Sequence, residues 1–265
     1  MTFTDFNLHP AIQESVAHQG YEKPSPIQEA MIPVLMSGRD AIGQARTGTG
    51  KTAAFALPML HRIAQTDERR FIQALVLAPT RELATQVSAA IYTYGKNIDV
   101  RTLPITGGQP YPKQIKRLRQ GVDVVVATPG RLVDLLNQGA VDLSQAHTVV
   151  IDEADEMFSM GFADDLDAIF DHLPADRQTA LLSATMAPGV KKLAQKRLNN
   201  PEVISVTDGD RTASDVAQKG YMVYHRDKLA ALVRLIETED VTSALAFVKT
   251  RAGAAEVASL LSDLG

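Results

Sequence analysis

The sequence predicts an α/β fold with a mostly parallel sheet that is covered by helices on both faces. Apolar strand-like runs alternate with helix-like stretches over most of the chain. Several of the apolar runs lack a period of two, which is typical of strands that are buried on both faces. The most informative polar and glycine-containing stretches follow the strands directly. Because parallel sheets bind ligands at the carboxyl ends of their strands, a functional site is expected there.

Seven strands and six helices account for this alternation. The strand-like runs are 40–45, 74–79, 101–106, 122–128, 147–154, 179–185 and 202–206. The helix-like stretches are 52–65, 81–95, 109–120, 130–138, 162–172 and 187–198. One more helix is predicted to begin at Ser25-Pro26-Ile27-Gln28, where serine caps, proline occupies the first position and glutamine the third.

The chain is predicted to hold one lobe and part of another. Residues 1–206 form the first lobe, and the polar stretch 207–218 is predicted to be a linker. Residues 219–265 alternate again, with strands at 220–225 and 243–249 and helices at 226–239 and 250–265. Two parallel strands alone make a poor core, so we expect this segment to pack imperfectly or to self-associate.

Composition and charge limit the classes of function. The 265 residues are 45% hydrophobic and 22% charged, as in ordinary globular proteins. The chain has no cysteine, no secretory signal pattern and no apolar stretch of membrane-spanning length, so we expect a cytoplasmic protein. A net charge of −4 is unfavourable for bulk attraction to nucleic acid, and any such binding must therefore depend on local groups.

The stretch QARTGTGKT, residues 44–52, has the pattern of a phosphate-binding loop. Glycines at 48 and 50 allow backbone N–H groups to converge on an anion at the start of a helix. Lys51 can then reach the β- and γ-phosphates, and the Thr52 hydroxyl can hold Mg²⁺. Ala45 stands where the usual pattern has its first glycine, and an ordinary glycine-rich turn is the alternative.

A second motif, TVVIDEAD, ends an apolar strand in acidic residues. Asp152 is placed as the carboxylate that holds Mg²⁺, and Glu153 as the base that polarises an attacking water. Acidic residues in a first helical turn are also stabilised by the helix dipole without any catalysis. The six histidines show no metal-ligand spacing, so Mg²⁺ is the only metal expected.

Residues 152–155 read D-E-A-D, and the chain resembles the DEAD-box RNA helicase family. ARTGTGKT at 45–52 matches that family's phosphate loop, which begins with alanine, and GYEKPSPIQ at 20–28 resembles its adenine-recognition segment. PTRELA (79–84), GG (107–108), TPGR (128–131) and SAT (183–185) follow in the family's order. The resemblance implies a RecA-like P-loop fold, ATP and Mg²⁺ as cofactors, and RNA as partner.

The resemblance also implies roles for individual residues. The residues implied to bind the nucleotide are Phe3, Tyr21, Lys23, Gln28, Ala45, Arg46, Thr47, Gly48, Thr49, Gly50, Lys51 and Thr52. The residues implied to be catalytic are Lys51, Asp152 and Glu153. Thr52 and Asp152 are implied to hold Mg²⁺, partly through water. RNA binding falls to Pro79, Thr80, Arg81, Gly107, Gly108, Thr128, Pro129, Gly130 and Arg131. Asp155, Ser183, Ala184 and Thr185 would couple the two sites.

The chain departs from the complete family in its second lobe. AFVKT, at 246–250, resembles the first motif of that lobe, but the later arginine-finger segment is absent from the sequence. Since such an arginine can be worth ~10³-fold in rate, we expect a nearly inactive ATP-binding piece of an RNA-dependent ATPase and helicase. The alternatives are a nucleotide-dependent RNA-binding module without catalysis of its own, and a DNA-directed motor.

Overall fold

A computed structural model describes residues 1–66, 71–206, 217, 219–239 and 241–263. The chain divides into two compact units, Met1–Thr207 and Asp208–Gly265. The predicted linker, 207–218, lies outside the described residues except for Ala217.

The first unit contains one seven-stranded sheet in which every strand pair is parallel. Its strands are β1 Ala41–Gln44, β2 Ala74–Leu77, β3 Thr102–Ile105, β4 Val124–Ala127, β5 Thr148–Ile151, β6 Gln178–Ser183 and β7 Glu202–Ser205. All seven lie where the sequence predicts them. The predicted strand at 147–154 is too long, because it ends at Ile151 and a helix begins at Ala154.

Nine α-helices accompany the sheet in the described part of the first unit. They are α1 Pro10–His18, α2 Pro26–Met36, α3 Lys51–Ala64, α4 Arg81–Tyr94, α5 Tyr111–Arg119, α6 Pro129–Asn137, α7 Ala154–Ser159, α8 Ala163–Phe170 and α9 Pro188–Arg197. The six predicted helices and the predicted start of α2 are confirmed. Within the described ranges, no helix combines the length and apolarity that a bilayer span requires.

The central strands are buried on both faces, which is why their sequences lack alternation. Val76 and Val126 belong to one buried cluster, and their chain neighbours Leu75 and Val125 belong to a second. Successive side chains of a strand point to opposite faces of the sheet. Since helices cover both faces, both sets of side chains are apolar.

The strand order is β3-β4-β2-β5-β6-β1-β7, and it determines which loops meet. Strand β6 lies between β5 and β1, with Leu181 opposite Ile151 and Ser183 opposite Gln44. The loops that follow these three strands therefore emerge side by side. These are the phosphate loop, the SAT segment and the acidic motif, which are far apart in the sequence.

The second unit contains helices α10 Lys228–Thr238 and α11 Arg251–Asp263, as predicted. The predicted strands at 220–225 and 243–249 are wrong, because neither segment is a strand in the described part of this unit. A strand needs a partner for its backbone N–H and C=O groups. Large apolar side chains in these segments, including Met222, Leu245 and Phe247, are almost fully exposed.

Candidate nucleotide and RNA site

The phosphate loop takes a backbone conformation that favours glycine. Gly48 has φ +85° and Gly50 has φ +88°, and helix α3 begins at Lys51. A Cβ on Gly50 would lie only 2.5 Å from Nε2 of Gln28. The loop thus places the N-terminal N–H groups of a 14-residue helix at the carboxyl end of the sheet, where an anion is stabilised.

Gln28 connects the start of α2 to the phosphate loop. Its Oε1 accepts a hydrogen bond from the backbone N–H of Ser25 at 2.9 Å, and its Nε2 donates to the carbonyl of Gly50 at 3.0 Å. The Ser25 hydroxyl donates to the carbonyl of Thr49 at 2.8 Å. The side chains of Ser25 and Gln28 therefore hydrogen-bond to the phosphate loop in addition to capping α2.

Lys51 and Asp152 are charged groups buried together without enough hydrogen-bond partners. Lys51 is 6% exposed and Asp152 is 3% exposed. In the described part of the chain, neither Nζ of Lys51 nor Oδ1 of Asp152 has a hydrogen-bond partner. Burial raises the pKa of Asp152 to about 6, although the nearby Lys51 charge opposes that shift. Buried polar atoms without partners are costly, and they mark a place where a ligand can supply the missing contacts.

Glu153 has a strained backbone at the candidate catalytic position. Its φ of 54° and ψ of 52° lie in the left-handed region, which is uncommon for residues other than glycine. Strain of this kind persists where the surrounding structure enforces it, often at functional sites. The Glu153 carboxylate accepts a long hydrogen bond, 3.4 Å, from the Thr47 hydroxyl of the phosphate loop.

A cavity of about 320 Å³ lies between the phosphate loop, the acidic motif and α4. Nine of the predicted site residues line it: Tyr21, Gln28, Thr47, Gly48, Gly50, Lys51, Thr52, Asp152 and Glu153. Five predicted nucleotide-binding residues lie outside the lining in the described part of the chain: Phe3, Lys23, Ala45, Arg46 and Thr49. Of these, Lys23 is exposed, whereas Ala45 is buried and donates its N–H to the carbonyl of Ser183.

Aromatic rings form one end of the cavity. Tyr21 stacks on Phe3 with ring centroids 6.0 Å apart, and its hydroxyl is hydrogen-bonded to that of Tyr94 at 3.1 Å. Burial raises the pKa of Tyr94, and the hydrogen bond with Tyr21 adds to this shift. Phe3 itself is buried beneath Tyr21, so its place is to support the ring that lines the cavity.

Helix α4 contributes cavity residues that the sequence analysis missed. Leu83, Gln86, Ala90 and Tyr94 line the cavity from one face of the helix. Their helical spacing is also that of an ordinary core-facing stripe. The one sequence feature that could have indicated a cavity-lining face is a polar residue, Gln86, among these positions.

Asp155 and the SAT segment are in direct contact. One carboxylate oxygen of Asp155 accepts hydrogen bonds from the backbone N–H and the hydroxyl of Thr185, each at 2.9 Å. The Asp155 N–H donates to the hydroxyl of Ser183 at 3.3 Å. Burial raises the pKa of Asp155, but the hydrogen bonds from Thr185 and Ser183 outweigh it and leave the pKa below its ordinary value. Ala184, which lies between Ser183 and Thr185, is exposed. Its backbone carbonyl accepts a hydrogen bond from the side-chain amide of Gln44.

The first set of candidate RNA residues surrounds Arg81. Thr80 caps α4 by accepting a hydrogen bond from the N–H of Leu83, and Pro79 before it is buried. The guanidinium of Arg81 donates to the carbonyl of Gly107 at 3.3 Å and packs closely against Gly108, which has φ +76°. The loops after β2 and β3 are thus joined.

The second set lies at the start of α6. Thr128 and Pro129 are buried, while Gly130 and Arg131 are half-buried. The guanidinium of Arg131 donates to the carbonyl of Gln109 at 2.8 Å and lies 4.0 Å from the ring centroid of Tyr111. The structure therefore brings the three candidate RNA loops together beside strands β3, β4 and β2.

These features define a P-loop protein with a RecA-like fold. Its candidate site combines a glycine loop at a helix start with a buried lysine and an acid that directly follows another buried strand, β5. The donor set fits a magnesium-bound phosphate chain, because the unpartnered ammonium needs an anion and the unpartnered carboxylate needs a cation. In the described ranges, no cluster of three or more histidine, aspartate or glutamate side chains forms a metal site by itself.

Comparisons with known proteins identify the family. A model of the DEAD/DEAH box helicase family matches residues 25–193. The chain is 45% identical over 265 residues to an ATP-dependent RNA helicase DeaD of Buchnera aphidicola and 44% identical to DeaD of Escherichia coli K12. A DEAD box protein from the hyperthermophile Methanococcus jannaschii has a similar structure, with a TM-score of 0.74, 35% identity and 71% of its chain covered. The chain belongs to the DEAD/DEAH box helicase family.

The alignments with these relatives cover the whole chain but only part of the relatives. The chain spans 44% of the Buchnera DeaD and 42% of the Escherichia coli DeaD. It spans 56% of the DEAD-box ATP-dependent RNA helicase CshA of Geobacillus kaustophilus, to which it is 41% identical.

Proposed function

We propose that this chain binds ATP with Mg²⁺ and contacts RNA as the ATP-binding lobe of a DEAD-box RNA helicase. The observation that carries the proposal is the pair of buried, unpartnered charged atoms, Lys51 Nζ and Asp152 Oδ1, beside the glycine loop. No protein group in the described part of the chain satisfies them. A triphosphate and its metal would satisfy both at once.

Within this site, each residue has a separate task. Gly48, Gly50 and the start of α3 direct backbone N–H groups at the phosphates, and Lys51 compensates their charge. Thr52 and Asp152 would hold Mg²⁺, partly through water. Bound ATP with Mg²⁺ supplies an activated phosphoanhydride whose developing charge the metal offsets.

Adenine would be held at the aromatic end of the cavity. Tyr21 offers a ring face there, and Gln28 an amide, the group that can pair with adenine through both a donor and an acceptor. The Gln28 amide already donates one hydrogen bond to the carbonyl of Gly50 and accepts one from the N–H of Ser25. An amide has two N–H donors and two acceptor lone pairs, so base recognition is compatible with both existing bonds.

Hydrolysis would depend on Glu153 and on groups beyond this lobe. Glu153 lies at the cavity with its backbone fixed in a strained conformation, placed to accept a proton from the attacking water. The sequence contains no arginine-finger segment of the H-R-x-G-R-x-x-R type. We therefore expect slow ATP turnover by this chain and no duplex separation.

RNA would lie on the surface formed by Arg81, the Gly107-Gly108 turn and Arg131. These groups contact phosphates and sugars, which position a strand without reading its sequence. The Asp155–Thr185 contact joins the acidic motif to the SAT segment, which lies beside the phosphate loop, and we expect it to couple the nucleotide site to RNA binding. Self-association through the exposed apolar side chains of the second unit is a separate proposal.

Calorimetry with ATP and Mg²⁺ tests the proposed function. Lys51→Ala should abolish ATP binding, whereas Lys192→Ala, on the exposed face of α9, should leave it unchanged. Glu153→Gln should keep ATP binding and lower the residual turnover. ATP binding by Lys51→Ala within a few-fold of the unmodified chain contradicts the assignment. ATP binding with no measurable turnover under any RNA concentration favours the non-catalytic module.

A further inference from the structure

A groove beside the candidate RNA loops is lined by positive charge that the proposed function does not use. It has a volume of about 210 Å³ and lies between α4, β3 and α5. Its polar lining includes Thr85 of α4, Gln109 of the connecting loop, and Lys113 and Arg117 of α5. Lys113 and Arg117 are four residues apart, so they lie on the same face of the helix.

The charge on α5 is concentrated and uncompensated. The helix carries Lys113, Lys116, Arg117 and Arg119, all exposed, and no acidic residue. None of these four side chains forms an ion pair within the described part of the chain. In a protein with net charge −4, such a patch indicates a local anionic partner.

The groove is rigidly joined to the candidate RNA loops. Gln114 is buried, and its Nε2 donates to the carbonyl of Thr106 at 3.0 Å while its Oε1 accepts from Arg131 at 3.1 Å. On the other wall, the Thr85 hydroxyl donates to the carbonyl of Arg81 at 2.8 Å. Both walls are therefore tied to the two arginines expected at the RNA.

Two other kinds of partner fit this groove less well. The apolar side chains of α5, Tyr111, Ile115 and Leu118, pack against the core, so the helix has no apolar face for a membrane. Among the described strands, β3 pairs only with β4 and leaves its other edge open, but Pro104 in its middle lacks an N–H donor. An added peptide strand would therefore find an interrupted edge.

Building on the proposed function, we propose that this groove binds a backbone phosphate of RNA next to the segment held by the Gly107-Gly108 turn. Lys113 and Arg117 supply both the charge and the hydrogen-bond donors for the phosphate oxygens. The contact lengthens the RNA footprint of the lobe toward α5. The contact is independent of RNA sequence, because hydrogen bonds and charge pairing with a phosphate carry no base information.

The test measures binding of fluorescent oligouridines of about six and about twenty nucleotides to the full chain with a non-hydrolysable ATP analogue. Lys113→Gln/Arg117→Gln should weaken binding of the longer RNA on the order of tenfold and reduce the salt-dependence slope by about 0.7, the value for one phosphate contact on a single strand. The short RNA should lose much less affinity. The matched control is Lys116→Gln/Arg119→Gln, which removes the same charge from another face of α5 and should change affinity less than twofold.

Each outcome separates the groove from the proposed function. Equal losses for the two double variants would mean diffuse attraction and overturn the groove. A loss for Arg81→Gln with none for Lys113→Gln/Arg117→Gln overturns the groove and leaves the proposed function standing. The reverse pattern supports the groove and contradicts the Arg81 surface. If Lys113→Gln/Arg117→Gln weakens binding to phosphatidylserine vesicles as much as binding to the longer RNA, the patch binds membranes and the groove proposal is overturned. If the unmodified chain binds no RNA, both RNA proposals are overturned.

Discussion

The carboxylate of Asp155 accepts two hydrogen bonds from Thr185, one from the backbone N–H and one from the hydroxyl, each 2.9 Å long. The two residues follow neighbouring strands, β5 and β6, and are 30 positions apart in the sequence. The last residue of the acidic motif is thus fixed to the last residue of the SAT segment. If either loop moves, these hydrogen bonds must break or the other loop must move with it.

Thr185→Val should weaken this connection without removing the nucleotide site. We expect a loss of about 1 kcal/mol of unfolding free energy at neutral pH, since one hydrogen bond to a charged group is lost and solvent weakens it at this exposed contact. The lowered pKa of Asp155 means that its stabilisation is present at neutral pH and is lost as the pH falls below its ordinary value of 3.8. Urea titrations at neutral pH and at about pH 3 should therefore show a difference that shrinks in acid. A difference that is constant with pH would contradict the role of the carboxylate.

Asp152→Asn should stabilise the nucleotide-free protein at neutral pH. Burial raises the pKa of Asp152 to about 6, above the ordinary 3.8, so its contribution to stability is largest below pH 3.8 and falls as the pH rises through 6. The amide removes that cost, which is on the order of 1–3 kcal/mol above pH 7. Unfolding in EDTA at about pH 4 and pH 8 measures it. A variant less stable than the unmodified chain at pH 8 would contradict the prediction.

Alanine at Gly50 should be more damaging than alanine at Gly48. Both glycines have positive φ, which costs an alanine roughly 1–2 kcal/mol. At Gly48 the added Cβ meets nothing within 4 Å, whereas at Gly50 it meets Nε2 of Gln28 at 2.5 Å. Thermal unfolding of the two variants gives a matched comparison, and equal stability losses would contradict the role of the Gln28 contact.

Gln28→Ala should lower both stability and ATP affinity. It removes the contacts with Ser25 and Gly50, which we expect to cost about 1 kcal/mol each. ATP binding should weaken, while GTP binding should change little, if Gln28 recognises adenine. Calorimetry with both nucleotides distinguishes the roles, because equal losses for ATP and GTP would leave Gln28 as a loop-positioning residue alone.

Self-association should depend on the exposed apolar side chains of the second unit. Leu245 is 87% exposed and Phe247 is 93% exposed. Leu245→Ser/Phe247→Ser should shift a concentration-dependent oligomer to monomer in sedimentation velocity. Tyr92→Ser, which changes an exposed aromatic residue of α4 in the first unit, is the control and should have no effect. A monomer at every concentration of the unmodified chain would contradict the self-association proposal.

Much of the first unit could be predicted from the sequence because its patterns are local. Buried central strands such as β4 appear as continuous apolar runs, and Ser25 with Gln28 marks the start of α2. The order of the motifs indicated the family, which the comparisons confirm. Each of these features depends on residues close together in the chain, where backbone geometry and side-chain period determine the outcome.

Only the tertiary structure determined how these local pieces combine. The strand order places SAT between the phosphate loop and the acidic motif. Helix packing brings Gln86 and Tyr94 of α4 to the cavity, and it gives Gln28 its second hydrogen-bond partner, the carbonyl of Gly50. The strand-like segments 220–225 and 243–249 show the same limit from the other side. Their residues favour extended backbone, but a strand exists only where another strand accepts its hydrogen bonds, and no local pattern contains that information.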